Sequence, residues 1–435
     1  MSKKVKVILA SMAGNALEFY DFYLCGTFAS LFAEIFFPSQ DSTAALLSSL
    51  SAFAVGYFVR PIGAIIFGHL GDRLGRKRAL TISIFAMAIP TGIIGLLPTY
   101  SMIGLWAPVL LVACRLIQGI CAGGEYNGAA IFAIEHATNR YKSLAGSMMS
   151  VSGGGGALLA TFTGYLFTQA AMPSWGWRIP FLLGVILGLI GLYIRRRTGE
   201  TPDFQNTVSQ APLKKPLLDA LTKKPLSVFC CIGGAAFSGA LSSTFAAYMN
   251  IYMVKVVGLT LSNSMFLNVF GLLTFVLLAP VAGWIADKTT PHKVMTVSAF
   301  ALAFLFIPIF KLAQHATTLS ILTAYLLLTS FAAGFIAPMN QFMNQLFNPS
   351  MRYSGIAFGY GIGMATLGGT VPLVATYLIS ITGNLLAPAY YLMGVSMLGL
   401  IIIALSFKAK KSVDAEAVLN RKSVSKQSAR QTKAA

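Results

Sequence analysis

Apolar stretches of 20 residues or more recur from one end of this 435-residue chain to the other. About 20 apolar residues is what an α-helix needs to cross a hydrocarbon core roughly 30 Å thick. A hydropathy pass resolves twelve spans, at about 6–37, 44–70, 79–98, 103–137, 143–170, 177–197, 226–254, 262–286, 294–313, 318–346, 353–382 and 386–407. Inside a bilayer the backbone must satisfy its own hydrogen bonds, so such spans are helical. The short alternating segments of a membrane β-barrel are absent from the sequence. The fold class predicted is an all-α membrane protein of twelve transmembrane helices. Charged residues make up 10% of the chain, against about 25% in a soluble domain.

The net charge of +19 is explained by topology rather than by nucleic acid. With both termini placed in the cytoplasm, the 32 Lys and Arg fall in cytoplasmic segments, apart from Arg60, Arg115, Arg178, Lys255 and Lys311. That bias orients a membrane protein and attracts anionic lipid. Arg178 beside Trp175 and Trp177 reads as an interface anchor. The longest hydrophilic connection, about 198–225, divides six spans from six. The predicted organisation is a first half at 1–197, a linker at 198–225, a second half at 226–407 and a basic, disordered tail at 408–435. The opening MSKKVKV is read as the start of a retained first helix, because the apolar segment after it is too long for a signal peptide and contains Glu18 and Asp21. Five scattered cysteines without CxxC spacing imply no disulfide framework and no metal site. No HExxH, GxGxxG or GK[ST] motif is present, so no enzyme and no cofactor is expected.

The halves repeat one another. GHLGDRLGRKRAL at 68–80 lies on GWIADKTTPHKVM at 283–295, placing Asp72 on Asp287, and RYKSLA at 140–145 lies on RYSGIA at 352–357. The two offsets nearly agree, which indicates parallel six-span halves. A midplane site between such halves is a standard transporter plan.

Charge inside the membrane marks function by default. Glu18 and Asp21 stand three residues apart in GNALEFYDFYLCG. Glu18 lies about 18 Å along the helix from Lys6, near the bilayer centre. Burial and a like charge one turn away both favour the neutral form of a carboxyl group. Glu18, Asp21 and Glu125 are therefore the proton-coupling candidates. Arg115, Gln118 and Glu125 share one broad face of span 4. Arg115 suits a substrate carboxylate, or else neutralises one of the embedded acids. Gln118, Tyr20, Tyr248, Tyr252 and Asn340 complete the candidate substrate contacts, amides and aromatics facing a charged first half. Arg60 is expected to pair with a carboxylate of span 1 or 4. The run of glycines at 153–156 permits close packing or hinging in span 5.

GDRLGRK at 71–77 resembles the signature loop of the major facilitator superfamily. GNALEFYDF at 14–22, RPIGAIIFGHLGDRLGRK at 60–77, RLIQGICAGGEYNGA at 115–129, WRIPF at 177–181 and RRRTGETPDF at 195–204 are together similar to its metabolite:proton symporter family. Members of that family take up proline/betaine, α-ketoglutarate, citrate or shikimate. The resemblance implies a monomeric, multi-pass transporter of a bacterial inner membrane, driven by the proton gradient. It implies that Asp72, Arg73, Arg76 and Lys77, with Asp287 in the second half, tie helix ends together as a gating loop. ADKTTPHK in the second half lacks the paired glycines and arginines, and the tail lacks sustained heptads. The expected substrate is a small carboxylate-bearing zwitterion such as proline or a betaine. A mono- or dicarboxylate symporter is the first alternative, and a drug-efflux antiporter of the same superfamily the second.

Overall fold

The computed structural model describes residues 3–74, 76–123, 126–138, 140–197, 216–349 and 351–434. Among these it contains helices and connecting turns, with no strand, and all twelve expected spans are present. Several helices begin on a residue chosen for the purpose. Asp41 accepts from the Thr43 N–H ahead of span 2, and Thr260, Thr290 and Thr317 cap spans 8, 9 and 10 in the same way.

Four spans are described as two helices each. Span 1 runs as Lys3–Thr27 and Ala29–Phe36, and span 4 as Trp106–Ala122 and Tyr126–His136. Span 2 parts at Val59, ahead of Arg60 and Pro61, into Ser42–Phe58 and Arg60–Leu74. Span 10 parts at Ala337 and Pro338. In both cases proline removes a backbone donor and disfavours the helical conformation before it. Spans 7 and 11 carry wide π-helical turns at Thr244–Tyr248 and Met364–Gly368. The turn of span 11 packs against the helix Pro225–Ser243 of span 7, where the Ser243 hydroxyl donates to the Gly368 carbonyl.

Spans 1, 2, 4 and 5 of the first half meet spans 7, 8, 10 and 11 of the second. Spans 3 and 6 pair on one flank and 9 and 12 on the other. These outer spans leave Phe85, Leu96, Ile190, Phe300, Phe304 and Ile401 exposed, an apolar surface of the kind lipid covers. Span 7 is well enclosed, 72% of its most apolar stretch being buried against 44% for spans 8, 9 and 11. Glycine sets the closest approaches. A Cβ on Gly119 would collide with the Gly56 carbonyl, one on Gly123 with the Arg60 carbonyl, and one on Gly156 with the Ala16 carbonyl.

Arg178 stacks on the buried Trp177 and donates to the carbonyls of Gly95 and Leu97, at 3.1 and 2.7 Å, closing the end of span 3. The last helix is Ala387–Ala434; its part after Lys408 is rich in alanine and lysine, both good helix formers. In the linker, Pro216–Lys223 forms a short helix.

Candidate functional site

A cavity of about 30 Å³ lies between the two halves, room for a water molecule or so and well below the roughly 300–1,000 Å³ of an open small-molecule site. Its walls are aromatic. Phe19 and Tyr23 come from span 1, Tyr126 from span 4, Phe245 from span 7, Phe275 from span 8 and Tyr360 from span 11. Ser150, Ser238 and Ser242 add hydroxyls. Phe19 and Tyr23 reach the same wall because residues four apart share a helix face. The rings form two sets: Phe19 lies 5.9 Å from Tyr126, which stacks on Tyr360 at 5.1 Å, and Phe245 meets Phe275 at 4.9 Å. The Tyr126–Tyr360 stack joins one half to the other. The π-helical turns border this cavity through Phe245 and Met364, a position where such turns recur in functional sites.

Phe19, Tyr126 and Tyr360 also wall a second, smaller cavity that contains Glu18 and Arg60. Glu18 in turn borders a third, shared with Asp21, Ser83 and Cys121. The carboxylates of span 1 are thus linked to the aromatic chamber through neighbouring spaces. Asp21 is 4% exposed, and its Oδ1 has no hydrogen-bond partner among the described residues. It presses on span 6, where a Cβ on Gly184 would come within 2.5 Å of Oδ1.

The two embedded arginines, Arg60 of span 2 and Arg115 of span 4, lie against one ring, their guanidinium carbons 4.1 and 4.3 Å from the Phe22 ring centroid. Arg115 donates to the Gln118 side chain at 3.0 Å and to the Phe53 carbonyl at 3.4 Å. Gln118 passes the network on to the Thr91 hydroxyl at 2.9 Å. None of this group lines the central cavity. Tyr20 lies elsewhere too, its hydroxyl donating to the Pro180 carbonyl at 2.7 Å on span 6. Tyr248 and Tyr252 border a separate cavity with Lys255 and Thr376, near the far ends of spans 7 and 11. Tyr252 donates to the Leu385 carbonyl and accepts from Gln314.

Asn340 and Asp287 lie where the halves meet at the opposite end of the molecule. Asn340 donates to the Tyr126 hydroxyl and to the Gly146 carbonyl, both at 2.9 Å. Asp287, ending span 8, accepts from the Ser143 and Leu144 N–H groups at 2.7 and 2.8 Å. A carboxylate on the open N–H groups at the start of span 5 is favoured by the helix dipole as well. Arg352 adds an ion pair to Glu135 at 2.8 Å. At the other end Lys255 approaches Glu34 at 3.5 Å. The central cavity therefore lies between two sets of cross-half contacts. Glu125 and the side chains of Asp72, Arg73, Arg76 and Lys77 lie outside the described residues.

Sequence reasoning missed the cavity aromatics and the two ion pairs. The spacing of Phe19 and Tyr23 was a usable signal. The pairings of Glu34 with Lys255 and Glu135 with Arg352 were not, since each joins residues more than 200 positions apart.

Residues 12–371 match the model of the Major Facilitator Superfamily. The chain belongs to that superfamily of membrane transporters. It is 34% identical over 408 residues to a putative proline/betaine transporter of Staphylococcus aureus (strain MSSA476), covering 92% of this chain and 88% of the relative. It is 34% identical over 414 residues to the proline/betaine transporter of Escherichia coli K12, covering 91% and 82%. A glycine betaine/proline/ectoine/pipecolic acid transporter of Dickeya dadantii is 33% identical over a similar length, 414 residues. A D-xylose–proton symporter superposes with a TM-score of 0.72 over 94% of this chain and 98% of its own. At 17% identity that likeness shows the shared fold alone.

Proposed function

We propose that the protein imports a small zwitterion such as proline or a betaine together with protons, by alternating access. The observation that carries the reading is the aromatic chamber between the halves. The faces of Tyr and Phe rings attract a cation, by about 0.5–2 kcal/mol each according to how far it is desolvated. A quaternary or secondary ammonium group is the ligand such walls suit. The names of the relatives support the same substrate class. The described acids near the chamber, Glu18 and Asp21, take the coupling proton in this reading, with Glu125 proposed beside them from its place in the sequence. The two sets of cross-half contacts alternate: one end opens while the other holds.

The reading includes an inner-membrane location with both termini cytoplasmic, as the lysine and arginine distribution favours. The transporter works as a monomer and needs no cofactor beyond the proton gradient. Uptake of radiolabelled proline, betaine and α-ketoglutarate into proteoliposomes under an imposed proton gradient tests it. Saturable accumulation of proline or betaine is expected. Accumulation of α-ketoglutarate without either would favour the dicarboxylate alternative and overturn the zwitterion reading.

A further inference from the structure

We propose that the transported molecule is first held at a second site, at the ends of spans 2, 7 and 11, where its carboxylate draws Lys255 away from Glu34; the assignment rests on the zwitterion reading above. This end is the outer one in the orientation proposed there. The space is the cavity bordered by Tyr248 and Tyr252. It measures about 190 Å³, against about 30 Å³ for the central chamber. An engineered cavity of about 150 Å³ accepts benzene, so a small metabolite has room here. Lys255 is the only charged group among the described residues that line it, beside the hydroxyls of Ser42, Thr43, Thr376 and Ser380. Tyr248, Tyr252 and Lys255 stand four and three residues apart on span 7, which brings them to one face of the helix. The two rings lie 6.1 Å apart, and ring faces attract an ammonium group. A cation for the carboxylate and aromatic rings for the ammonium make a wall suited to a zwitterion.

The Tyr248 hydroxyl is an independent observation. Tyr248 is 1% exposed, and its hydroxyl has no hydrogen-bond partner among the described residues. A buried hydroxyl in that condition is costly, and a bound carboxylate supplies the missing acceptor. Its neighbours are already engaged. Tyr252 donates to the Leu385 carbonyl and accepts from Gln314, while Thr376 and Ser380 donate to the Pro372 and Tyr377 carbonyls of their own helix. Lys255 and Tyr248 are therefore the donors assigned to the carboxylate, the lysine reaching it on a flexible four-carbon stem. Lys255 approaches Glu34 at 3.5 Å, and the Glu34 side chain is 67% exposed. An exposed pair of that length is weak, so a carboxylate arriving in the cavity competes for the same ammonium. The exchange frees Glu34 of span 1 from span 7, one of the contacts joining the halves at this end. Substrate thus loosens the end through which it enters.

Uptake of radiolabelled betaine into right-side-out vesicles carrying the full-length chain makes the test, with KM read from initial rates under an imposed proton gradient. Lys255→Gln should raise KM about tenfold, the loss of a charge-assisted hydrogen bond. Tyr248→Phe should raise it about threefold or more. That variant deletes a hydroxyl without a partner among the described residues, so a purely structural tyrosine would leave KM unmoved. Glu34→Gln should lower KM or leave it as it was, because it removes the competitor for Lys255. If Lys255 served only to fasten the halves, Lys255→Gln and Glu34→Gln would release the same end and shift KM alike. A KM unchanged or lowered in Lys255→Gln, unchanged or lowered in Tyr248→Phe, or raised in Glu34→Gln overturns the assignment. If Lys255→Gln does not fold, Tyr248→Phe decides: a raised KM supports the site and an unchanged one contradicts it. A wild type that takes up neither betaine nor proline removes the zwitterion reading itself, an outcome distinct from betaine uptake whose KM these variants leave unmoved.

Discussion

At the scale of single residues, the first half concentrates its charge around one ring. Phe22 receives a guanidinium at 4.1 Å and another at 4.3 Å, so two buried cations that would repel one another are each held against π-electron density. Phe22→Leu should lower stability by roughly 1–3 kcal/mol, read as an earlier thermal unfolding transition in detergent; an unchanged transition would show the ring contacts to be inert. Asp21 has a buried oxygen without a partner, and Asp21→Asn removes the charge with little change in shape. That variant is expected to lose gradient-driven accumulation and retain exchange of labelled for unlabelled substrate. Wild-type accumulation in Asp21→Asn would take Asp21 out of the coupling. Sequence could place Glu18 and Asp21 in mid-membrane, because helix rise and bilayer thickness are general. It could not foresee that Arg60 and Arg115 both lie against Phe22, a ring on another helix.

At the scale of elements, twelve spans were legible because the bilayer imposes one length and one composition on every crossing. Their breaks were legible only in part. Pro61 and Pro338 announce the interruptions of spans 2 and 10, whereas nothing in TFAAY or MATLG marks the π-helical turns of spans 7 and 11. Those turns depend on how the two spans press together, with Ser243 bonded to Gly368. The glycine run of span 5 reads as a packing device, and the structure shows what it packs on. Gly156 rests on the Ala16 carbonyl of span 1, while Gly153 and Gly154 face Phe19 and Phe275 of the cavity wall. Gly156→Val should therefore overpack the contact and cost about 1–3 kcal/mol, again visible in thermal unfolding. A fully stable Gly156→Val would mean that spans 1 and 5 can separate freely.

At the scale of the whole molecule, the two halves enclose a chamber and are fastened at both ends. Asp287 on the start of span 5 and Arg352 on Glu135 fasten one end, and Lys255 near Glu34 fastens the other. The first fastening combines backbone hydrogen bonds with an ion pair and is the firmer; the second is an exposed pair of the kind worth about 1 kcal/mol or less. Asp287→Asn together with Arg352→Gln should release the firmer end. Labelling of Ser150→Cys, on the chamber wall, should then speed up for a thiol reagent applied from that side; an unchanged rate would show that these contacts do not hold the chamber shut. The central claim is that proton and zwitterion move together, and substrate-driven proton movement measures it most directly. Betaine or proline added outside proteoliposomes, with no gradient imposed, should make the external medium more alkaline as protons enter with the substrate, and Asp21→Asn should abolish that signal. Saturable betaine uptake into the wild type without any alkalinisation would contradict proton symport.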